Sequence, residues 1–174
     1  KIRITYKSTN EDGEKKTIEV SPVKLVMRID TLYLIAADDD YSETHIFKNY
    51  LVENILNIAQ TNKCVARLDE PFCVEEHYKY AFGKYVSTED PQTITLLVKS
   101  GWLKTQFNKS RFSPLAEINK DKDGNTIVTL KLRVTPDFKT WLFGVLPDVK
   151  ILKPESLKTE MLERLKSTLK EMKA

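Results

Sequence analysis

The stretch TITLLVKSGWLKTQFNKSRFSPLAEINKDKDGNTIVTLKLRVTPDFKTWLFGVLPDVKIL, residues 93–152, decides the fold. Thr93 to Val98 reads as a strand and Trp102 to Phe107 as a helix. Leu115 to Asn119 and Thr126 to Val134 form a hairpin across the polar turn Lys120-Asp121-Lys122-Asp123-Gly124-Asn125. Thr135 is placed to cap a helix with Pro136 at its first position, and Pro147 stops it. Val149 to Leu152 is a last strand. The order βαββαβ predicts a ferredoxin-like split βαβ sheet. After it, Glu155 to Met172 reads as a long amphipathic helix with Leu157, Met161, Leu165, Leu169 and Met172 on one face.

Upstream the texture is all strand. Ile2 to Tyr6 alternates apolar and polar, the segment Asn10 to Glu14 turns, and Thr17 to Val20 resumes the alternation. Ser21-Pro22 is expected to break the pattern, because proline donates nothing to a ladder. Leu25 to Arg28 and Leu32 to Ala37 follow as strands, then a polar turn at Asp38-Asp39-Asp40. Thr44 to Phe47 and Val52 to Ile58 complete the series, as two short strands or one bent one. Strands at this spacing without helices predict a small β-barrel. Val74 to Phe82 reads as a helix ended by Gly83, and Ser87 to Pro91 as the domain junction. The expectation is an α+β chain: residues 1–86 a barrel domain with connector, residues 91–174 the split βαβ extension.

Composition sets the bounds. The 174 residues are 41% hydrophobic and 30% charged, ordinary values for a globular protein. No apolar run approaches the roughly 20 residues that span a bilayer, so no membrane partner is expected. The opening Lys1-Ile2-Arg3-Ile4 alternates like a strand and lacks a signal peptide's apolar core. The absence of an initial Met suggests an excised piece. A net charge of +3, with cations and anions interleaved, neither demands nor excludes nucleic acid. Two cysteines make no disulfide scaffold, which points to a reducing cytoplasm.

Several segments carry a resemblance. IRITY (residues 2–6), EVSPVKLV (19–26), TLYLIAAD (31–38) and KNYLVENILNI (48–58) resemble, in order, the segments of bacterial WYL-domain transcription regulators. The family's Trp-Tyr-Leu strand stands here as Leu32-Tyr33-Leu34. YAFGKYV (80–86) and VTPDFKTWLFGVLPDVKILKPESLKTEMLERL (134–165) resemble the connector and the C-terminal extension that follow such domains. The resemblance implies an SH3/Sm-like barrel, no catalysis and no cofactor. It also implies a homodimer that reaches DNA through an N-terminal helix-turn-helix domain not contained in these residues. Its polar cleft would receive a nucleotide, nucleic-acid or small-molecule effector. Here Leu51 and Asn54 stand where the family carries cations.

The candidate groove is the strand-borne set Tyr6, Arg28, Tyr33, His45, Lys48, Tyr50, Glu53 and Asn54. Aromatic rings beside cations suit stacked bases or planar metabolites; the plainer alternative is packed tyrosines and solvated charges. Cys64, Cys73, His45 and His77 could supply four zinc ligands, but without a CxxC pair the cysteines are expected to be buried and structural. Trp102, Phe107, Trp141 and Phe143 read as core or interface aromatics. No nucleophile elbow, Walker loop, dinucleotide turn or HExxH helix occurs. Residues 121–124 resemble a calcium loop until position twelve, which is Leu132, so they are expected to be a hairpin turn. Three functions fit: an effector-sensing and oligomerising module, a single-stranded nucleic-acid binder, or a purely structural dimerisation module.

Overall fold

A computed structural model describes residues 1–8, 13–38, 47–64, 71–107 and 115–173, with the side chain of Asp38 left aside. The chain divides into two units, Lys1–Tyr78 and Lys79–Ala174. Among the described residues no helix is long and apolar enough to cross a membrane.

The first unit holds β1 (Ile2–Lys7), β2 (Lys15–Arg28), β3 (Thr31–Asp38), β4 (Phe47–Leu51) and β5 (Ile55–Gln60). They form one five-stranded antiparallel sheet in the order β4-β3-β2-β1-β5. A short 3₁₀ turn, Val52–Asn54, joins β4 to β5 and takes residues expected to be strand. The sheet is not closed into the expected barrel: β4 and β5 lie at its opposite edges, linked by that turn rather than by a ladder. Nor does Ser21-Pro22 break the second strand. β2 runs through it, with the register shifting between Pro22 and Lys24; such a bulge accommodates a residue without an N–H. Ile4, Val20, Leu34, Ala36 and Tyr50 form the core of this unit.

Glu19 on β2 ties β1 to the segment that follows β5. Arg3 Nη2 donates to one carboxylate oxygen at 2.7 Å and Lys63 Nζ to the other at 2.6 Å. Hydrogen bonds from Lys63 first, then Arg3, hold its pKa at about 2, against 4.5 for a free glutamate. A carboxylate lowered in the folded state stabilises the fold above its unfolded pKa, and that stability disappears as pH falls through the folded value. Thermal melts of Glu19→Gln should therefore show a lower Tm at neutral pH but a smaller further loss between about pH 4.5 and 2.

After β5 comes α1, which spans only Val74–His77. The helix expected to reach Phe82 stops early because Tyr78 leaves helical geometry and places its ring on the sheet. Cys64 and Cys73 are exposed, not buried as the sequence suggested.

The second unit holds β6 (Gln92–Val98), α2 (Gly101–Phe107), β7 (Ala116–Lys120), β8 (Thr126–Leu132), α3 (Pro136–Val145), β9 (Val149–Lys153) and α4 (Glu155–Glu171). Its antiparallel sheet has the order β7-β8-β6-β9, the split βαβ arrangement that residues 93–152 predicted. Ile94, Leu96, Val128, Leu130 and Leu132 alternate onto one face and pack with Leu103, Phe107, Phe138, Leu142, Leu157 and Met161 from the helices. Asp121 accepts backbone N–H bonds from Asp123 and Asn125, closing the hairpin turn with Gly124 at φ +79°. Thr135 precedes α3 as expected, but its hydroxyl makes no cap; it donates to Asp137 Oδ1, which also accepts the Phe138 N–H. Asp137 Oδ2 accepts the Lys84 N–H, and a Cβ on Gly83 would run into that carboxylate. Gly83 thus serves close approach rather than a helix end. Trp102 is exposed rather than part of the core, and the α4 stripe is buried only at Leu157 and Met161, leaving Leu165, Leu169 and Met172 exposed.

Candidate functional site

Side chains alternate between the two faces of the first sheet, and this sorts the candidate groove residues. Tyr6, Lys48 and Tyr50 lie on the face that carries Ile4, Val20 and Leu34. The Tyr6 and Tyr50 rings meet edge-on with centroids 5.5 Å apart, and Tyr50 is buried in the core. Lys48 is exposed beside them. Glu53 and Asn54 sit on the 3₁₀ turn, Glu53 exposed and Asn54 half-buried. Arg28 and Tyr33 fall on the opposite face, with Val26, Ile35 and Asn49. His45 lies outside the described residues. Two clusters, rather than one groove, are what the register brings together.

The second face has a cover. Phe47, Asn49 and Leu51 alternate onto it from β4, and the segment 71–78 supplies Phe72, His77 and Tyr78. Phe47 and Phe72 pack edge-on at 4.9 Å, and His77 lies against Phe72 at 5.2 Å. Asn49 Nδ2 donates to Tyr78 Oη at 2.9 Å, while its Oδ1 lies 2.8 Å from His77 Nε2. An amide oxygen only accepts, so Nε2 carries the proton of that bond. The Arg28 guanidinium lies over the Tyr78 ring, 4.7 Å from its centroid, a cation–π contact. Burial raises the Tyr78 hydroxyl's pKa; Arg28 and Asn49 oppose that in part. One asparagine therefore joins two residues of the covering segment, and one arginine seats the same ring.

Asn49, Phe47, Phe72 and Tyr78 were not among the sequence candidates. The alternation of Phe47, Asn49 and Leu51 was there to be read, but the partners of that face lie about thirty residues away. Among the described residues no group of His, Cys, Asp and Glu could hold a metal ion.

Residues 1–59 match the family model described as the WYL domain, and residues 90–169 match the one described as the WCX domain. The chain is a WYL domain followed by a WCX domain. The resemblance seen in residues 2–58 and 134–165 is thereby borne out, while the connector-like residues 80–86 lie between the two matches. The β1–β5 sheet belongs to the WYL domain, and nearly all of the split βαβ unit to the WCX domain. Among solved structures, one titled "Crystal structure of a CRISPR Cas-related protein" is similar with a TM-score of 0.54 and 18% identity, over 98% of this chain and 48% of that one. Proteasome accessory factor B/C (PafBC) of Arthrobacter aurescens is similar at 17% identity with a TM-score of 0.38, over 95% of this chain and 24% of that one. The WYL–WCX chain thus spans less than half the length of either structure. No curated protein sequence matches it.

Proposed function

We propose that this WYL–WCX chain is the non-catalytic sensing region of a transcription regulator. An effector taken up at the WYL sheet would reset the placement of the WCX unit. In a dimer that change would be passed to DNA-binding domains carried elsewhere on the polypeptide. The tandem of WYL and WCX domains carries this reading. The geometry adds a route: Arg28 and Asn49, on the sheet, hold Tyr78, the last residue of the first unit. Lys48 and Tyr50 flank Asn49 on β4, so an effector seated on the first face that shifts β4 moves the segment through which the chain passes into the WCX unit.

Lys48, Glu53 and Asn54 are the effector contacts of this reading, with Tyr6 and Tyr50 as their apolar floor. Lys48 supplies a cation for an anionic effector, whereas Asn54 brings hydrogen bonding without charge. The test is calorimetry of the purified chain against nucleotides and short single-stranded oligonucleotides at low salt. One class should bind saturably. The double variant Lys48→Ala, Glu53→Gln should weaken that binding by about tenfold or more, about 1.4 kcal/mol, with an unchanged circular dichroism spectrum. Unaltered affinity in that variant would remove this site. Steep loss of oligonucleotide affinity with rising salt would instead mark a backbone-driven single-strand binder.

A further inference from the structure

Helices α2, α3 and α4 all pack on one face of the WCX sheet, the face of Ile94, Leu96, Val128 and Leu130. Alternation sends the intervening residues to the other face. These include Thr93 and Thr95 from β6, Thr129 and Lys131 from β8, Glu117 from β7 and Lys150 from β9. The bulge between Thr95 and Leu96 sets Lys153 opposite Thr95, so it joins them. The strands of this face, with Arg133 one residue past β8, carry Lys131, Arg133, Lys150 and Lys153 against the single acid Glu117. The three lysines are exposed. Among the described residues none of the four cations forms an ion pair.

One end of the face gathers positive charge about a single ring. The Lys79 and Lys131 ammonium groups lie 5.8 and 5.6 Å from the Tyr80 centroid, and the Arg133 guanidinium 5.6 Å from it. Tyr80 is fixed there because its carbonyl accepts the Arg133 N–H at 2.9 Å, while Arg133 Nε donates to Glu89 O at 2.8 Å. Like charges so collected repel each other, and cation–π contacts offset only part of that repulsion. An anion laid among them offsets more, through charge-assisted hydrogen bonds.

We infer that the open face of the WCX sheet is a docking surface for the phosphate backbone of duplex DNA, separate from the effector face of the WYL sheet. Spacing selects a polyanion over a small ion. Lys131 is opposite Thr93 and Lys150 opposite Leu97, on the two strands that flank β6; strand geometry sets their backbones about 16 Å apart. One phosphate cannot reach both, whereas a duplex presents a charge about every 1.7 Å of its axis. The ring selects backbone contact over base stacking: Tyr80 is already engaged by three cations, so it is no open platform for bases. Thr93, Thr95 and Thr129 add hydroxyl donors between the cations, and such contacts go to phosphate without reading sequence. Duplex DNA as the polyanion rests on the regulator reading proposed above. A chain that binds an effector but no duplex fails this inference alone, and one that binds duplex but no effector fails that reading alone.

Fluorescence anisotropy of a labelled duplex of arbitrary sequence, titrated with the chain at several salt concentrations, tests it. Binding should appear at low salt and fall with a log–log slope of about −3, for three to four phosphates neutralised. Lys131→Gln with Lys150→Gln should weaken it by about tenfold or more and reduce the slope by about 2, with an unchanged circular dichroism spectrum. Lys166→Gln with Lys170→Gln removes the same charge from the exposed side of α4 and should change neither. No binding at low salt would overturn the inference, as would equal losses in the two double variants. A single strand bound about tenfold tighter than the duplex, or polyglutamate bound as tightly as DNA through Lys131 and Lys150, would overturn duplex DNA as the occupant.

Discussion

Phe138→Ala should lower the stability of the WCX unit by about 3–5 kcal/mol. Phe138 is fully buried, and its ring packs with Phe82 at 5.3 Å and Trp141 at 5.9 Å. Phe82 and Trp141 also touch each other, and Trp141 meets Phe107. Removing the central ring leaves a cavity whose walls come from α2, α3 and the chain before β6, elements that cannot all collapse inward together. Urea denaturation followed by tryptophan fluorescence reads the loss, since Trp141 lies in the cluster and Trp102 is solvated. A change below about 1 kcal/mol would mean that the aromatic group does not hold the unit together.

The second large effect belongs to Asn49. Asn49→Leu removes the donor to Tyr78 and the acceptor for His77 in one step. Stranding partly buried polar groups costs about 1–3 kcal/mol each. The loss should be local, because the β3–β4 ladder is made by backbone groups that the substitution leaves in place. Amide hydrogen exchange should rise in residues 71–78 with little change in β1 to β3. Asn49→Asp provides the rescue: a carboxylate accepts from His77 and from the Tyr78 hydroxyl, so protection should largely return. Equal exchange in both variants would show that packing of Phe47 and Phe72, not the amide, holds the segment.

The fold was largely legible because its signals are local. Alternation in Thr93 to Val98 and Thr126 to Leu132, the Gly124 turn and the Thr135-Pro136 start each depend on neighbours a few residues apart. The order βαββαβ then leaves few ways to form a sheet. What misled the reading was also local. Pro22 looked like a terminator because its missing donor is plain in the sequence, whereas the bulge that accommodates it depends on how β3 aligns. The short α1 has the same origin: nothing in Val74 to Phe82 announces that Tyr78 is needed at Asn49 and Arg28.

The candidate site was less legible. Lys48 and Tyr50 share a face with Tyr6 by simple alternation, whereas Arg28 and Tyr33 go to the other face once β2 and β3 are aligned. Asn49 stood between two candidates and was not one itself. Its importance arises from partners 28 and 29 residues away. The exposed cysteines make the same point, because apolar neighbours in sequence did not become a buried environment in space.

The central claim is that an effector at the WYL sheet acts through residues 71–78. Hydrogen exchange of the chain, with and without whichever nucleotide or oligonucleotide calorimetry shows to bind, tests it most directly. The expected result is altered protection at residues 71–78 together with the β4 and 3₁₀ segment, residues 47–54. Saturable binding that leaves residues 71–78 unchanged would contradict it.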